Sequence, residues 1–260
     1  MFDIGNIFGA PTRFQVNLGN GDGTFRTGSQ FGNIRFGPQL IELLVGDFNQ
    51  DGVLDVMTQT SGKALNLYFG KGDGTFSLGQ VVQMGGGLTA MVAGDFNGDG
   101  KLDLAVEVGV AGKPQQIRIL LGNGDGTFQV PRVVLSNLSG FLGYPNLVLT
   151  DLNGDGVPDL LYNQNSQMGV LIGRGDGTFK NLGFLSDLTG GLVVGDFNSD
   201  GNVDLLLSSS SAVLRLGNGD GTFGVGQNVN ITLGNGLGLA ADFNSDGLMD
   251  TSYGNIYLQQ

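Results

Sequence analysis

The stretch Asp47-Phe48-Asn49-Gln50-Asp51-Gly52-Val53-Leu54-Asp55 decides the fold of this chain, because the same nine-residue pattern begins again at Asp95, Asp151, Asp196 and Asp242. We call the five copies loops 1 to 5; they span residues 47–55, 95–103, 151–159, 196–204 and 242–250. Every copy has Asp at positions 1, 5 and 9, Asn at position 3 and Gly at position 6. Hard oxygen donors around a sharp glycine bend are the ligands that Ca²⁺ prefers. The pattern therefore predicts five calcium-binding loops.

Two other interpretations fit these loops less well. An Asp-, Asn- and Gly-rich turn often joins two strands without a metal, but such a turn tolerates Ser, Asn or Gly at positions 5 and 9. A helix-loop-helix calcium site needs an acidic residue at position 12, and here that position holds Thr58, Val106, Tyr162, Leu207 and Tyr253. Residues 102–108 alternate and are rich in β-branched side chains, so position 9 is predicted to lie at the start of a strand.

A second motif alternates with the acidic loops. Leu18-Gly19-Asn20-Gly21-Asp22-Gly23-Thr24-Phe25 recurs at residues 69–76, 121–128, 172–179 and 216–223. Gly-Asp-Gly between two apolar strands supplies the positive φ angles of a tight turn, so the motif predicts a β-hairpin. The central aspartates are interpreted as turn formers, with further metal ligands as the less favoured alternative: Asp22, Asp73, Asp125, Asp176 and Asp220.

The spacing of the two motifs predicts the architecture. Successive acidic loops start 48, 56, 45 and 46 residues apart. A period near fifty with four short strands per unit is typical of a β-propeller, an all-β fold. In the second unit we expect strand A over 89–94, strand B over 102–108, strand C over 117–121 and strand D over 127–134. The Phe at loop position 2 and the Phe after the hairpin are expected to plug the core between sheets.

The two ends of the chain bear on closure of the propeller. Residues 14–25 resemble strands C and D, and residues 238–253 resemble strands A and B. We therefore expect one domain over 1–260 with five four-stranded blades, starting near 37, 85, 140, 187 and 235. The last blade is then completed by 13–36, through pairing of the N- and C-terminal strands. Residues 255–260 also resemble a strand C, so an open array or a piece of a longer one stays as the alternative.

The repeats resemble the FG-GAP/VCBS family of calcium-loop propeller repeats, known from integrin α-subunit heads and secreted bacterial proteins. The resemblance covers about residues 8–258 and includes Phe8-Gly9-Ala10-Pro11, although integrin-type members have seven blades. In that family the loop joins strands A and B and binds Ca²⁺ through positions 1, 3, 5 and 9 and the carbonyl of position 7. The ligands that the resemblance implies are Asp47, Asn49, Asp51, Val53 and Asp55; Asp95, Asn97, Asp99, Lys101 and Asp103; Asp151, Asn153, Asp155, Val157 and Asp159; Asp196, Asn198, Asp200, Asn202 and Asp204; and Asp242, Asn244, Asp246, Leu248 and Asp250.

Composition narrows the classes of partner. The net charge is −12, and fifteen of the 24 acidic residues are the aspartates of the five loops, so five Ca²⁺ ions would bring the charge to about −2. The 12 Lys and Arg residues do not cluster, which argues against nucleic acid as a partner. No apolar run predicts membrane insertion, and no signal peptide is visible. Because loops of this kind fill at the millimolar calcium outside cells, we expect a secreted or cell-surface protein, of bacterial source.

The residue types present favour binding over catalysis. The chain has no His and no Cys, and the carboxylates outside both motifs are Asp3, Glu42, Glu107 and Asp187, so we expect no enzyme activity. The repeats differ most in the B–C connections (59–64, 109–116, 163–168 and 208–211) and in the D–A connection 136–146. In propellers both sets lie opposite the A–B loops. We expect a protein or glycan ligand on that face, as in an integrin-like adhesion module, although the absence of Trp weakens a lectin interpretation.

Two alternatives to a binding module stay open. The chain could be a purely structural scaffold or spacer, natural or designed, given how uniform its loops and hairpins are. It could also be a non-catalytic accessory domain of a larger secreted enzyme or lectin.

Overall fold

The computed structural model describes residues 12–34, 43–59, 63–109, 112–138, 147–164, 167–185, 191–208, 211–231, 238–253 and 255–257. Within these ranges all regular structure is β-strand, which confirms the all-β prediction. The strands are β1 (Thr12–Gly19), β2 (Phe25–Ile34), β3 (Leu43–Gly46), β4 (Asp55–Gln59), β5 (Ala64–Gly70), β6 (Phe76–Gln83), β7 (Gly87–Gly94), β8 (Asp103–Gly109), β9 (Gln115–Leu120), β10 (Arg132–Leu138), β11 (Leu147–Thr150), β12 (Asp159–Gln164), β13 (Gln167–Gly173), β14 (Phe179–Leu185), β15 (Leu192–Gly195), β16 (Asp204–Ser208), β17 (Ala212–Arg215), β18 (Gln227–Val229), β19 (Leu239–Ala241), β20 (Asp250–Tyr253) and β21 (Asn255–Tyr257). The described part of the chain contains no helix with the length and hydrophobicity that a membrane crossing requires.

The strands form consecutive antiparallel sheets in the predicted A-B-C-D order. Four sheets have four strands: β3-β4-β5-β6, β7-β8-β9-β10, β11-β12-β13-β14 and β15-β16-β17-β18, which we call repeats 1 to 4. A three-stranded sheet, β19-β20-β21, is repeat 5, and β1-β2 form a two-stranded leading sheet. In each of the five repeats strand B begins at position 9 of the acidic loop, as predicted.

The chain divides into two compact units. Unit 1 comprises Met1–Gly94 and Asp99–Ser136, and unit 2 comprises Asp95–Gly98 and Asn137–Gln260. Each unit has its own apolar cores between neighbouring sheets. In unit 1, Met57, Leu67 and Leu104 are fully buried, and in unit 2 Leu161 and Leu205 are fully buried. The chain thus buries its apolar side chains between sheets, as stacked repeats require.

Most phenylalanines of the two motifs pack as predicted, but the prediction was wrong for Phe25 and Phe243, which are 65% and 42% exposed. At loop position 2, Phe48, Phe96 and Leu152 are 3%, 1% and 3% exposed. The ring centroids of Phe48 and Phe128, the Phe after the next hairpin, lie 6.2 Å apart in an edge-to-face arrangement. Aromatic pairs of this geometry add stability beyond the area that they bury. These side chains are therefore core plugs between neighbouring sheets.

The prediction for strand D of repeat 2 was wrong. The residues after the hairpin make one isolated bridge, Gly122 to Phe128, and the strand itself begins only at Arg132. Pro131 has no N–H to donate to a sheet, and Val130 before it is 84% exposed. The chain therefore leaves the sheet after the turn and rejoins it past the proline.

The strand C place of repeat 5 is taken by β21, whose Asn255, Ile256 and Tyr257 pair with β20. The sequence assigned that place to the N-terminal strand β1, which here pairs with β2. Five blades, closure of the ring and a single domain over 1–260 stay predictions.

Several sequence assignments fall outside the described residues. These are Asp3, Phe8 to Pro11, Glu42 and Asp187, residues 60–62, 110–111, 165–166 and 209–210 of the B–C connections, and residues 139–146 of the D–A connection.

Candidate metal centres in the A–B loops

The aspartate at position 1 organises each acidic loop through backbone amides. In loop 1, Asp47 Oδ1 accepts a hydrogen bond from Asp51 N at 3.1 Å, and Asp47 Oδ2 accepts one from Gly52 N at 2.9 Å. The glycine at position 6 can turn its amide back because its φ is +83°, a left-handed value that residues with a Cβ rarely adopt. The bond from the position-6 amide recurs at 2.9 Å on Asp151, Asp196 and Asp242.

Positions 3 and 5 lie next to each other in the loop. Asn49 Oδ1 accepts from Asp51 N at 3.0 Å, and Asn49 Nδ2 donates to Asp51 Oδ2 at 2.8 Å. Asp51 Oδ1 in turn accepts from Val53 N at 2.8 Å. Loops 3, 4 and 5 make the same three bonds at 2.8–3.1 Å. The structure therefore gathers the oxygens of positions 1, 3 and 5 within one turn.

The aspartate at position 9 has a different environment. Asp55 is fully buried; its Oδ2 accepts from Phe48 N at 3.0 Å and its Oδ1 accepts from Gly70 N, at the start of the following hairpin, at 3.0 Å. Asp159 and Asp204 make both bonds in their own repeats at 2.7–2.9 Å. This carboxylate therefore joins the acidic loop to the hairpin of the same repeat.

The joining role of position 9 was missed in the sequence analysis, which assigned it only as a ligand. A signal was present, because every position-9 aspartate of repeats 1 to 4 is followed by a hairpin motif whose second residue is glycine. A Cβ on that glycine would overlap the backbone of loop position 8, so only glycine brings its amide to the carboxylate. The hydrogen bond from the hairpin glycine to the position-9 carboxylate joins two separate motifs, whereas each motif by itself is local. The sequence pattern therefore did not reveal the bond.

Burial and hydrogen bonding have opposite effects on the pKa values of the loop aspartates. Burial raises the pKa of Asp55 and of Asp159, while the two amides that donate to each carboxylate counteract that rise in part. The N–H of Asn202, together with the Asn198 side chain, lowers the pKa of Asp200.

Loop 2 differs from the other four. Lys101 Nζ lies 3.3 Å from Asp99 Oδ2, which pairs the position-5 carboxylate with an ammonium group. Asp99 Oδ1 accepts from Lys101 N at 3.0 Å, as position 5 does elsewhere. At position 1, Asp95 Oδ1 accepts from Gly98 N at 2.8 Å, as Asp151 Oδ1 does from Gly154 N in loop 3.

The hairpin aspartates support the turn interpretation. Asp73 Oδ1 accepts from Thr75 N at 2.8 Å and from Thr75 Oγ1 at 2.6 Å, and the other four hairpins repeat both bonds. The threonine hydroxyl, followed by its amide, lowers the pKa of Asp73. A carboxylate that is used this way closes its own turn.

The donor chemistry of the acidic loops fits calcium. Among the described residues, no three His, Cys, Asp or Glu side chains are arranged as a metal-holding group. In loop 1 the position-9 carboxylate of Asp55 accepts hydrogen bonds from two backbone amides. The remaining donors are two carboxylates and an asparagine oxygen, and a carboxylate oxygen that accepts one hydrogen bond retains a second lone pair. An all-oxygen set of this kind suits Ca²⁺. At position 7 the side chain of Val53 lies against the hairpin glycines Gly70 and Gly72.

Solved structures resemble the fold of this chain at low sequence identity. One is an Agrocybe aegerita lectin described by its specific recognition of non-reducing terminal N-acetylglucosamine, with 18% identity, a TM-score of 0.67, and coverage of 93% of this chain and 71% of the lectin. Another is the Bacillus licheniformis rhamnogalacturonan lyase PL11, with 16% identity, a TM-score of 0.55, and coverage of 96% of this chain and 50% of the lyase. The rhamnogalacturonan lyase YesW gives 15% identity, a TM-score of 0.51, and coverage of 94% and 55%. The chain thus spans about half the length of the lyases that it resembles.

Sequence comparison gives two results. No curated protein matches the chain. The family model of the FG-GAP-like repeat matches residues 47–106, 107–162 and 151–207, which together are more than half of the chain and contain loops 1 to 4. The chain therefore belongs to the FG-GAP-like repeat family.

Proposed function

We propose that this chain is an extracellular calcium-binding module of the propeller type, which presents a ligand-binding face opposite its acidic loops. The observation that carries the proposal is the arrangement shared by loops 1, 3, 4 and 5, in which the same backbone amides gather an Asp, an Asn and a second Asp into one turn. Like charges brought so close repel each other unless a cation lies between them.

In loop 1 the ion would be held by Asp47, Asn49 and Asp51, with the carbonyl of Val53 and a remaining lone pair of Asp55. The corresponding residues would hold an ion in each other loop. Bound calcium would neutralise the carboxylates and link strand A to strand B, since loop 1 joins β3 to β4. The proposed role of the metal is therefore structural.

The test is a count of bound ions with a matched pair of variants. Isothermal titration of the metal-free protein with CaCl₂ should give about five sites. Asp47→Ala should remove one site, whereas Asp73→Ala, which removes the same charge from an adjacent turn, should leave the number unchanged. An equal number of sites in Asp47→Ala and wild type would contradict the assignment of loop 1.

A glycan is the ligand class that the comparisons favour, because a lectin of known sugar specificity shares the fold. The test is a glycan array probed with labelled protein in calcium and in EDTA. Binding of defined glycans would support the binding role. If no glycan on the array binds the protein and immobilised cell-surface protein extracts capture no partner, the alternative of a structural spacer would be favoured.

We propose no catalytic activity for the chain itself. Of the carboxylates outside both motifs, the structure describes Glu107, which is 5% exposed and therefore inaccessible to a polymeric substrate. The resemblance to two lyases leaves a role as an accessory domain of a secreted enzyme as the second alternative. A lyase assay with the chain alone on rhamnogalacturonan should give no unsaturated product, and product formation would contradict this.

A further inference from the structure

The side chain at position 4 of loop 1 reaches the next acidic loop. Gln50 Nε2 donates a hydrogen bond to the carbonyl oxygen of Gly100, at position 6 of loop 2, at 3.1 Å. The Gln50 side chain also lies against the hairpin of repeat 2, since a Cβ on Gly124 would be 2.6 Å from Gln50 Oε1. All three residues belong to unit 1. Gln50 therefore joins two acidic loops through residues that are 50 positions apart in the chain.

The peptide unit that accepts this bond also organises loop 2. It contains the carbonyl of Gly100 and the amide of Lys101, and that amide donates to Asp99 Oδ1 at 3.0 Å. Because a peptide unit is planar, a contact that fixes its carbonyl also fixes the direction of its N–H. Gln50 thus helps to orient the N–H that holds the position-5 carboxylate of loop 2.

The residue type at position 4 distinguishes loop 1 from the other loops. Every loop has a positive φ at this position: +57° at Gln50, +72° at Gly98 and Gly154, +59° at Ser199 and +62° at Ser245. Glycine is the residue that adopts such a φ without strain, so a side chain here costs free energy. Glutamine is the longest of the five side chains and carries its amide furthest from the backbone. Loop 1 therefore holds a strained residue whose side chain makes a contact with the neighbouring loop.

Loop 2 already carries a cation of its own. In loops 1, 3, 4 and 5 the Oδ2 atom of the position-5 aspartate accepts a hydrogen bond from the asparagine at position 3. In loop 2 the same atom of Asp99 lies 3.3 Å from Lys101 Nζ. A positive charge beside a ligand carboxylate opposes the entry of a second cation. Both side chains are 32% exposed, so the ammonium group can turn to solvent at little cost. Loop 2 should therefore bind calcium, but only after loop 1 has filled.

We propose that Gln50 is a positioning residue that couples loop 1 to loop 2, so that the two loops bind calcium cooperatively. The proposal rests on the proposed function of the acidic loops. Gln50 lies between Asn49 and Asp51, two proposed ligands, so an ion in loop 1 fixes the backbone from which the Gln50 side chain extends. Gln50 then holds the Gly100 carbonyl, and loop 2 spends less free energy on ordering when it binds its own ion. The coupling is reciprocal, and one net hydrogen bond supplies about a two- to tenfold change in affinity.

The test is a calcium titration of the metal-free protein, followed by NMR at one amide in each of loops 1, 2 and 3. The reporters are the position-7 amides of Val53, Lys101 and Val157, each of which donates to the position-5 aspartate of its own loop. Asp47→Ala, which removes the loop 1 site, should raise the calcium concentration that half-fills loop 2 about two- to tenfold and leave loop 3 unchanged. Gln50→Ser, which gives loop 1 the position-4 residue of loops 4 and 5, should have the same effect on loop 2. The double variant should show no further change.

A second measurement needs no metal. In EDTA, hydrogen exchange at the Lys101 amide should be faster in Gln50→Ser than in wild type, whereas the matched position-4 change Ser199→Ala in loop 4 should leave that rate unchanged.

The outcomes separate the coupling from the proposed function. Normal filling of loops 1 and 3 with an unchanged loop 2 in Gln50→Ser would overturn the coupling alone. Additive effects of Asp47→Ala and Gln50→Ser on loop 2 would overturn it too, because they would place the coupling in another contact. The same holds for an unchanged exchange rate at Lys101 in EDTA. No calcium response in any of the three loops would overturn the proposed function, and the cooperativity with it.

Discussion

The carbonyl oxygen of Phe48 accepts a hydrogen bond from the amide of Gly126, 3.0 Å away, and this bond joins loop 1 to the hairpin of the next repeat. The amide of the same Phe48 donates to the buried Asp55, whose other oxygen accepts from Gly70. Phe48 and Asp55 thus connect loop 1 to two hairpins, that of its own repeat at Gly70 and that of the next repeat at Gly126. In unit 2 the carbonyl of Phe96 accepts from Gly177 at 2.9 Å in the same way.

Removal of the position-9 carboxylate should destabilise the protein even without metal. Asp55→Ala leaves the amides of Phe48 and Gly70 buried without an acceptor, which should lower the free energy of unfolding by about 2–4 kcal/mol. The measurement is urea denaturation in EDTA. Asp51→Ala, in the exposed part of the same loop, is the control and should change stability far less. Equal losses in both variants would show that position 9 has no special role in holding the loop.

The hairpin glycine that meets the neighbouring repeat should tolerate no side chain. Gly126 and Gly52 both have positive φ, +80° and +83°, but only a Cβ on Gly126 would overlap the Phe69 ring. Gly52→Ala should cost about 1–2 kcal/mol through backbone strain alone. Gly126→Ala should cost more in the same thermal or chemical unfolding experiment, and the difference measures the packing between repeats. Equal costs would contradict a close contact at Gly126.

Calcium binding in loop 1 should be detectable in the next hairpin. An ion that orders loop 1 also orders the Phe48 peptide, so calcium should slow hydrogen exchange at the Gly126 amide. Asp47→Ala should abolish that protection while the Gly177 amide, which bonds to loop 2, keeps its own. Amide exchange followed by NMR checks both sites. Unchanged calcium protection of Gly126 in Asp47→Ala would show that the loop and the hairpin are independent.

The two kinds of aspartate should respond to acid in opposite ways. The pKa of Asp73 is lowered below the ordinary value of 3.8 in the folded protein, so its contribution is present above that pH and is lost as the pH falls. The wild type should therefore lose its stability advantage over Asp73→Asn below about pH 4. Urea denaturation across a pH series in EDTA measures this.

The buried Asp159 reverses that sign. Because the folded pKa of Asp159 is raised, its protonated form favours folding, and that contribution is lost as the pH rises through the folded pKa. The difference in unfolding free energy between wild type and Asp159→Asn should thus fall with rising pH in EDTA, opposite to Asp73→Asn. Parallel curves for the two variants would contradict the difference in burial. Saturating calcium should reduce the effect, since a bound cation favours the ionised form.

The sequence by itself determined the features that depend on neighbours a few residues apart. The bends at Gly52 and Gly74 follow from local patterns, because a carboxylate or amide within five residues accepts the turn's own backbone N–H groups. The start of strand B at Asp55 and the order of strands follow in the same way, as alternation and turn chemistry are local signals. The period near fifty then predicts a stack of similar sheets.

Only the tertiary structure decided what depends on residues distant in the chain. The sequence could not show that both carboxylate oxygens of Asp55 accept hydrogen bonds from the amides of Phe48 and Gly70. Those bonds form because folding buries Asp55 beside the two amides. The late start of strand D at Arg132 was equally hidden, and strand D of repeat 4 starts late in the same way, at Gln227 after an isolated bridge from Gly217 to Phe223. Local hydrogen bonds determine each turn, but which surface each sheet buries depends on the neighbour that folding places against it.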